Sequence, residues 1–464
     1  MAENQETEKV TTPLPRREGQ RGRSSNYELL TNGSIPKVVG MMSVPTIISM
    51  LTSSLYSLAD TFFVGQIDTQ ATAAVGIVFA VLSVFQAFAF FFGHGSGNYM
   101  SRMLGARRRD EAVRMASTGF FTALIFGIFL AVMGLLLLTP LSLLLGSTET
   151  ILPYTERYLG IILLGTPLQM GAMVLNNQMR FQGNARYAMI GIVSGTLLNV
   201  VLDPLLIFVC HLGISGAALA TVLGHLCSFL LLLYLSRKGE NISPISRLKG
   251  SGSTLHLIWE IVRAGSPSLM RQGLGSIATL MLNIVAAGYG DAAVAAMSIV
   301  GRITFVVYSI IIGLGQGYQP LCGFSYGAGL FSRVKQGFWF CVKVGTAFLI
   351  VCTAIGFLFT EQIISVFRDD MDVIRIGSEA LRYQLYTYPI GAFILLSNMM
   401  MQTINHPWKA NLMASARRGL FFIPLIVLLP YWFGLQGVEM CQAVSDVFTF
   451  LLAVPLVWSV FRRM

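Results

Sequence analysis

Apolar stretches of about 20 residues recur along almost the whole chain, and each matches the roughly 30 Å hydrocarbon core of a bilayer. The 464 residues are 54% hydrophobic and only 12% charged, with a mean hydropathy of +0.67. A soluble domain needs a polar surface, and so little charge does not supply one. The chain is read as an all-α integral membrane protein. Hydropathy and turn signals place twelve helices at about 38–64, 71–99, 113–139, 154–178, 187–209 and 213–236, then 258–287, 292–320, 334–360, 376–403, 410–432 and 437–461.

The segments between these spans alternate in charge. The first polar segment, "SRMLGARRRDEAVR", "MRFQGNAR", "SRKGENISPISRLKG", "FSRVK", "PWKANLMASARR" and the final "FRR" are rich in Lys and Arg. "GQIDTQ", "GSTETILP", "CHLG", "GYGD" and "YWFGLQG" contain neither, and "FRDDMDVIR" offsets two arginines with three aspartates. The positive-inside rule then puts both termini in the cytoplasm of a cell that holds the chain in its plasma membrane, in a bacterium the inner membrane. The net charge of +10 invites a nucleic-acid partner, but the basic residues sit at helix ends, so none is expected. Residues 1–37 are polar and lack the apolar core of a signal peptide. The expected organisation is a disordered cytoplasmic tail at 1–33, an N-terminal six-helix bundle at 34–237, a cytoplasmic linker at 238–257 and a C-terminal six-helix bundle at 258–464. The six scattered cysteines, with no CxxC pair, read as small apolar residues.

A shift of 222 positions aligns the two bundles. Pro45 falls on Pro267, Gly93 and Gly95 on Gly315 and Gly317, Gly105 and Ala106 on Gly327 and Ala328, and Pro167 on Pro389. With one residue deleted, Gly213 and Gly216 fall on Gly434 and Gly437. Each unit has six spans, so the two run parallel and are related by a pseudo-two-fold axis along the membrane normal. Two bundles facing each other across a cleft suit alternating access.

"LLNVVLDPLLIF", residues 197–208, puts a carboxylate and a proline inside a span. An intramembrane charge costs on the order of 3 kcal/mol even on a lenient scale. Asn199 and Asp203 are one turn apart on one helix face. Pro204 donates no backbone hydrogen bond, which frees a carbonyl and bends the helix beside the carboxylate. A carboxylate, an amide oxygen and a free carbonyl suit Na⁺, and a desolvated carboxylate equally suits a proton. Asp60 lies about five residues below the outer end of the first span, Asp203 about seven below that of the fifth, and Thr221 about eight into the sixth. At 1.5 Å per residue these depths agree within roughly 5 Å. Tyr56, one turn before Asp60, shares its face. His225, Arg302, Glu439, Asp446 and His94 are weaker candidates, read as structural, with Glu439 expected in solvent at the outer end of its span.

"SLADTFFVG", "GHGSGNYMSRMLGA", "NVVLDPLLIF" and "GISGAALATV" together resemble the multidrug and toxic compound extrusion family, and most closely its Mep-type branch. The resemblance covers residues 34–464. It implies a cation-coupled antiporter, driven by H⁺ or Na⁺, that exports amphipathic, often cationic organic compounds as a monomer among membrane lipids, with no further cofactor or metal. It also implies a cation site at Asp60, Asn199, Asp203 and Thr221, with Tyr56 and Asn176 as neighbours. Some relatives carry further carboxylates in the seventh and tenth spans. "SPSLMRQGLGSIATLM" and "GAFILLSNMMMQTI" have none, so coupling is expected to run through the N-terminal bundle alone. A flippase for a lipid-linked precursor is the alternative. An intramembrane enzyme is disfavoured, because the five histidines have no metal-ligand spacing.

Overall fold

The computed structural model describes residues 26–239, 241–245 and 254–464, and among them there is no strand. The first half comprises α2 (Ile35–Gly65), α3 (Thr69–Gly105), α4 (Arg109–Leu136), the short α5 (Leu138–Leu144), α6 (Leu152–Phe181), α7 (Ala185–Pro204) and α8 (Ile214–Ser236), preceded by α1 (Asn26–Asn32). The second half comprises α9 (Thr254–Ala287), α10 (Asp291–Gly327), α11 (Phe331–Leu358), the short α12 (Thr360–Ser365), α13 (Met371–Thr403), α14 (Pro407–Ser415), α15 (Phe422–Phe433) and α16 (Leu435–Phe461). Local chemistry sets several of the starts. The Asp68 carboxylate accepts from the Ala71 N–H at 2.6 Å and Asp370 caps α13 in the same way, which satisfies amides that a helix leaves orphaned.

Among the described residues eleven segments are long and apolar enough to cross a bilayer, with α14, a π-turn at Ala416–Leu420 and α15 forming one of them. The twelfth is α13, whose 33 residues carry Asp372, Arg375, Glu379 and Arg382 in the N-terminal turns. Its other end, Gly391 to Thr403, is buried without a break. The repeat survives in detail. α3 and α10 are both 37 residues long and 222 positions apart, and α4 and α11 are both 28 residues long at the same offset. Asn176 Nδ2 donates to the Ala188 carbonyl at 2.8 Å, and Asn398 Nδ2 donates to the Ala410 carbonyl at 2.7 Å.

The two halves meet most tightly at the face that carries α1 and the end of α16. There α3 and α10 cross with glycine on each side. A Cβ on Gly105 would collide with the Phe324 carbonyl oxygen, and one on Gly327 would collide with that of Arg102. Gly95 packs on the Ile261 carbonyl, and its repeat partner Gly317 packs on the Ser43 backbone. Only glycine lets helices approach this closely. Interlobe hydrogen bonds gather at the same level. Ser43 Oγ donates to the Leu314 carbonyl at 3.3 Å and Arg102 donates to the Thr403 carbonyl at 2.8 Å. Towards the opposite face the packing opens, and Gly273, Gly275 and Gly301 have nothing within 4 Å of a Cβ position.

Three expectations change. The tail expected at 1–33 ends in a packed helix: α1 buries Leu30 and Thr31 and bridges the halves. Its Asn26 donates to the Gln182 carbonyl of α6's cap, while Arg333 at the start of α11 donates to the Leu30 and Gly33 carbonyls. Residues 1–25 lie outside the described residues. The linker expected to reach residue 257 gives way to α9 at Thr254, with residue 240 and residues 246–253 also outside the described set. Glu439 is 1% exposed rather than solvated, because α16 starts directly after Gly434 and carries Glu439 a full turn inward against α13.

Candidate functional site

Close approach of α7 and α8 creates the polar pocket of the first half. A Cβ on Gly195 would meet the Ser228 hydroxyl and the Gly224 carbonyl, and one on Gly224 would meet the Gly195 carbonyl and the Asn199 side chain. With both glycines in place, Asn199 lies flat against α8 and its Nδ2 donates to Thr221 Oγ1 at 3.3 Å. Thr221 Oγ1 donates its proton to the Ala217 carbonyl at 3.1 Å. The 3.3 Å contact between Tyr56 Oη and Thr221 Oγ1 therefore has the tyrosine as donor. Thr221 thus has its donor and both lone pairs engaged, and it ties α2, α7 and α8 together.

The carboxylates lie one turn beyond these tied residues, Asp60 after Tyr56 on α2 and Asp203 after Asn199 on α7. Asp203 is fully buried and Asp60 is 9% exposed. Four side-chain oxygens here, Asp60 Oδ1, Asn199 Oδ1 and both Asp203 oxygens, are buried without a hydrogen-bond partner. Buried polar groups in folded proteins are almost always paired, and unpaired charge is costly. Four orphaned acceptors on the contacting helices α2 and α7 would be satisfied by something that brings positive charge, and an all-oxygen set suits a hard cation or a proton. Past Pro204 the chain widens into a π-turn at Leu205–Val209, closed by the Cys210 N–H on the Leu205 carbonyl at 2.9 Å. The sequence led to a bend at that proline, and the break takes this form. π-turns are frequent at functional sites.

Two residues differ from the sequence expectation. Asn176 is spent on its bond to Ala188, and Ala188 lies 15 residues from Asp203 along α7, about 22 Å. Asn176 fastens α6 to α7 at the far end of the pair and is no neighbour of the pocket. Tyr158 of α6, 1% exposed, takes that place, with Asp60, Tyr56, Asp203 and Thr221 as its electrostatic neighbours. The depth count that selected the other residues reaches it too, since Tyr158 lies six residues into α6 from the same face.

A second polar cluster lies where the halves close. Arg180 donates to Gln316 Oε1 and to Asn177 Oδ1, both at 2.6 Å, and meets His94 Nε2 at 3.1 Å. His94 Nδ1 pairs with Ser268 Oγ at 2.7 Å, and Gln402 also donates to Ser268. All of these groups are buried, and the set crosses from α3 and α6 to α9, α10 and α13. In the second half Asp446, read from the sequence as structural, accepts bidentately from Arg417 at 2.8 and 3.1 Å. Arg302 is exposed on α10.

A sequence model of the MatE family matches residues 45–205 and again 267–428, one copy in each half and 222 positions apart. The multidrug export protein MepA of Staphylococcus haemolyticus is 28% identical over 433 residues, 93% of this chain and 95% of that protein. MepA of Staphylococcus aureus strain MSSA476 is 25% identical over 429 residues, 92% and 94% of the two chains. Among solved structures, an outward-facing conformation of a multidrug resistance MATE family transporter of the MOP superfamily superposes with a TM-score of 0.88 at 25% identity, over 96% of this chain and 100% of the other. A MATE crystal structure in the bent conformation gives 0.87 at 26% identity, over 95% and 98%.

Proposed function

This chain belongs to the MatE family of transporters, and from that premise we propose that it is a cation-coupled antiporter that exports amphipathic, often cationic organic compounds. The coupling ion is H⁺ or Na⁺, bound by Asp60, Asn199 and Asp203 and framed by Thr221, Tyr56 and Tyr158. The single observation that carries this reading is the four buried, partnerless oxygens of Asp60, Asn199 and Asp203. On the positive-inside pattern the closed face and both termini face the cytosol, and the more loosely packed face is the outer one. An ion entering from outside neutralises the carboxylates, and a cationic substrate then loses the charge that held it. Neutralised, the pocket lets α2 bend near Pro45, an internal proline of that helix. The closed face parts and presents the emptied cleft to the cytosol. Ion and substrate thus exclude each other through one negative charge, which makes the exchange obligatory.

The test uses the full chain in proteoliposomes, with a pH gradient and a Na⁺ gradient imposed separately and dye efflux followed. At least one gradient drives efflux by the native protein, and Asp203→Asn, inserted to the same level, is driven by neither. Full gradient-driven efflux by that variant overturns the reading.

A further inference from the structure

The charge of the spans is not the same in the two halves. The first half buries Asp60 and Asp203. The second half carries three arginines at neighbouring heights, Arg271, Arg417 and Arg418, and one carboxylate, Asp446, which pairs with Arg417. Its levels can be read from contacts between α9 and the broken span α14–α15. Asn411 Nδ2 donates to Ser266 Oγ at 2.8 Å, and a Cβ on Gly419 would lie 2.9 Å from Leu274 Cδ1. Both contacts pair residues 145 positions apart, so the two helices run parallel and Arg271 is level with Ala416. Arg417 and Arg418 follow within about 3 Å of height. All three lie near the middle of their spans, since Arg271 halves the Thr254–Ala287 range of α9.

Asp446 compensates only one of these charges. It is held bidentately by Arg417, and Gln442 Nε2 donates to it at 2.7 Å. Arg417 is fixed further by the Tyr308 ring beneath it, 4.5 Å from the guanidinium carbon. Among the described residues Arg271 has one hydrogen bond, to an amide acceptor, Asn398 Oδ1 at 2.8 Å, with His94 of the first half as an electrostatic neighbour. Arg418 shares the company of Arg417, Asp446 and Tyr308 but has no hydrogen bond or ion pair of its own among the described residues. Three positive groups and one negative leave a formal charge of +2. Arg271 and Arg418 are both partly accessible. Arg417 and Arg418 also sit on the π-turn at Ala416–Leu420, a backbone irregularity that commonly marks function.

We propose that the second half carries an anion-binding subsite, formed by Arg271 and Arg418 with Arg417 positioned by Asp446, that takes the carboxylate of an amphipathic substrate. The subsite deepens the export reading and rests on it. A guanidinium pairs with a carboxylate through two parallel hydrogen bonds, and transporter substrates bind near the midplane between repeats. The repeat places Arg271 opposite Ser49, 11 residues from Asp60 on α2, so the arginines lie about 16 Å deeper than the carboxylate pocket. The two signs are therefore read at separate places, and a carboxylate-bearing compound gains a contact that a simple cation lacks.

The experiment compares rhodamine B, which carries a free carboxylate, with its ethyl ester, which does not. Equilibrium binding of each dye is measured to the full chain in phosphatidylcholine nanodiscs. Arg271→Gln and Arg418→Gln each weaken rhodamine B binding about tenfold, the loss of one charge-assisted contact, and leave the ester within about twofold. The ester also reports that each variant is folded, and it tests the export reading independently of the subsite. Equal weakening of both dyes, or no weakening of either, overturns the subsite. Adding phosphatidylglycerol to the nanodiscs separates the two sources of an anion. Unchanged rhodamine B binding supports the substrate assignment, and displacement by the lipid overturns it in favour of a headgroup.

Discussion

Replacing Gly317 by alanine should open the closed face. Its Cβ would lie 2.5 Å from Ser43 Cα and 2.6 Å from Ser43 N, atoms of the α2 backbone that cannot rotate away. Reaching an ordinary contact of about 3.4 Å requires α2 and α10 to part by roughly 0.9 Å. That movement also stretches the Ser43–Leu314 hydrogen bond, already 3.3 Å long. Overpacking of this kind costs typically 1–3 kcal/mol. The better helix propensity of alanine, worth about 1 kcal/mol, applies to α10 in both conformations and cancels. If the opposite conformation separates the halves here, the penalty falls on the closed state alone, and the closed-to-open ratio drops about 5- to 150-fold. Gly95→Ala, the repeat-related substitution against the Ile261 carbonyl, should act alike. Electron–electron distance measurements between spin labels at exposed Arg186 and Gln336, in a cysteine-depleted background, read the opening directly. A folded Gly317→Ala protein whose distance distribution matches the native one would refute this reasoning.

Three other substitutions test separate parts of the account. Thr221→Ala removes the tie between Tyr56 and Asn199, and the coupling-ion concentration for half-maximal efflux should rise about 3- to 10-fold, the worth of one or two modest hydrogen bonds. Asp446→Asn leaves Arg417 buried without its counter-charge, and thermal unfolding in detergent should show a loss on the order of 3 kcal/mol. Arg333→Ala removes both bonds from α11 to the α1 region. Hydrogen exchange should then speed up across Asn26–Asn32 while the core of α11 keeps its protection.

Much of the fold was legible in the sequence, because a bilayer imposes span lengths and the repeat imposes a near-constant offset. Glycine and proline matches alone tied the first, second, fourth and sixth spans to their partners in the second half. The carboxylate pocket was legible for a different reason: Asp60 and Asp203 are expensive where they lie, and depth counting aligned them. Tyr158 escaped because it is an ordinary aromatic residue without charge, though the same counting would have found it. Asn176 was misassigned because an amide on a neighbouring helix says nothing about level, and it sits 18 residues from Tyr158 along α6, about 27 Å. The arginines failed for one shared reason. Arg180 lies just past the span expected at 154–178, yet α6 runs on to Phe181, and Arg417 and Arg418 lie inside the span expected at 410–432 but were counted with the basic segment "PWKANLMASARR". Charges credited to a solvated face are interior ones, holding the halves together or lining the second half. The glycines around His94 did signal close packing, but not that His94 itself crosses between the halves.

Competition between ion and substrate for one buried charge is the core of the account, and equilibrium binding tests it without transport. Ethidium, a lipophilic cation, is titrated onto the full chain in nanodiscs at a series of Na⁺ concentrations and pH values. The native protein should bind it more weakly as the coupling ion is raised, and Asp203→Asn should lose that dependence. Affinity indifferent to both ions in the native protein, or an ion dependence undiminished in the variant, would contradict it.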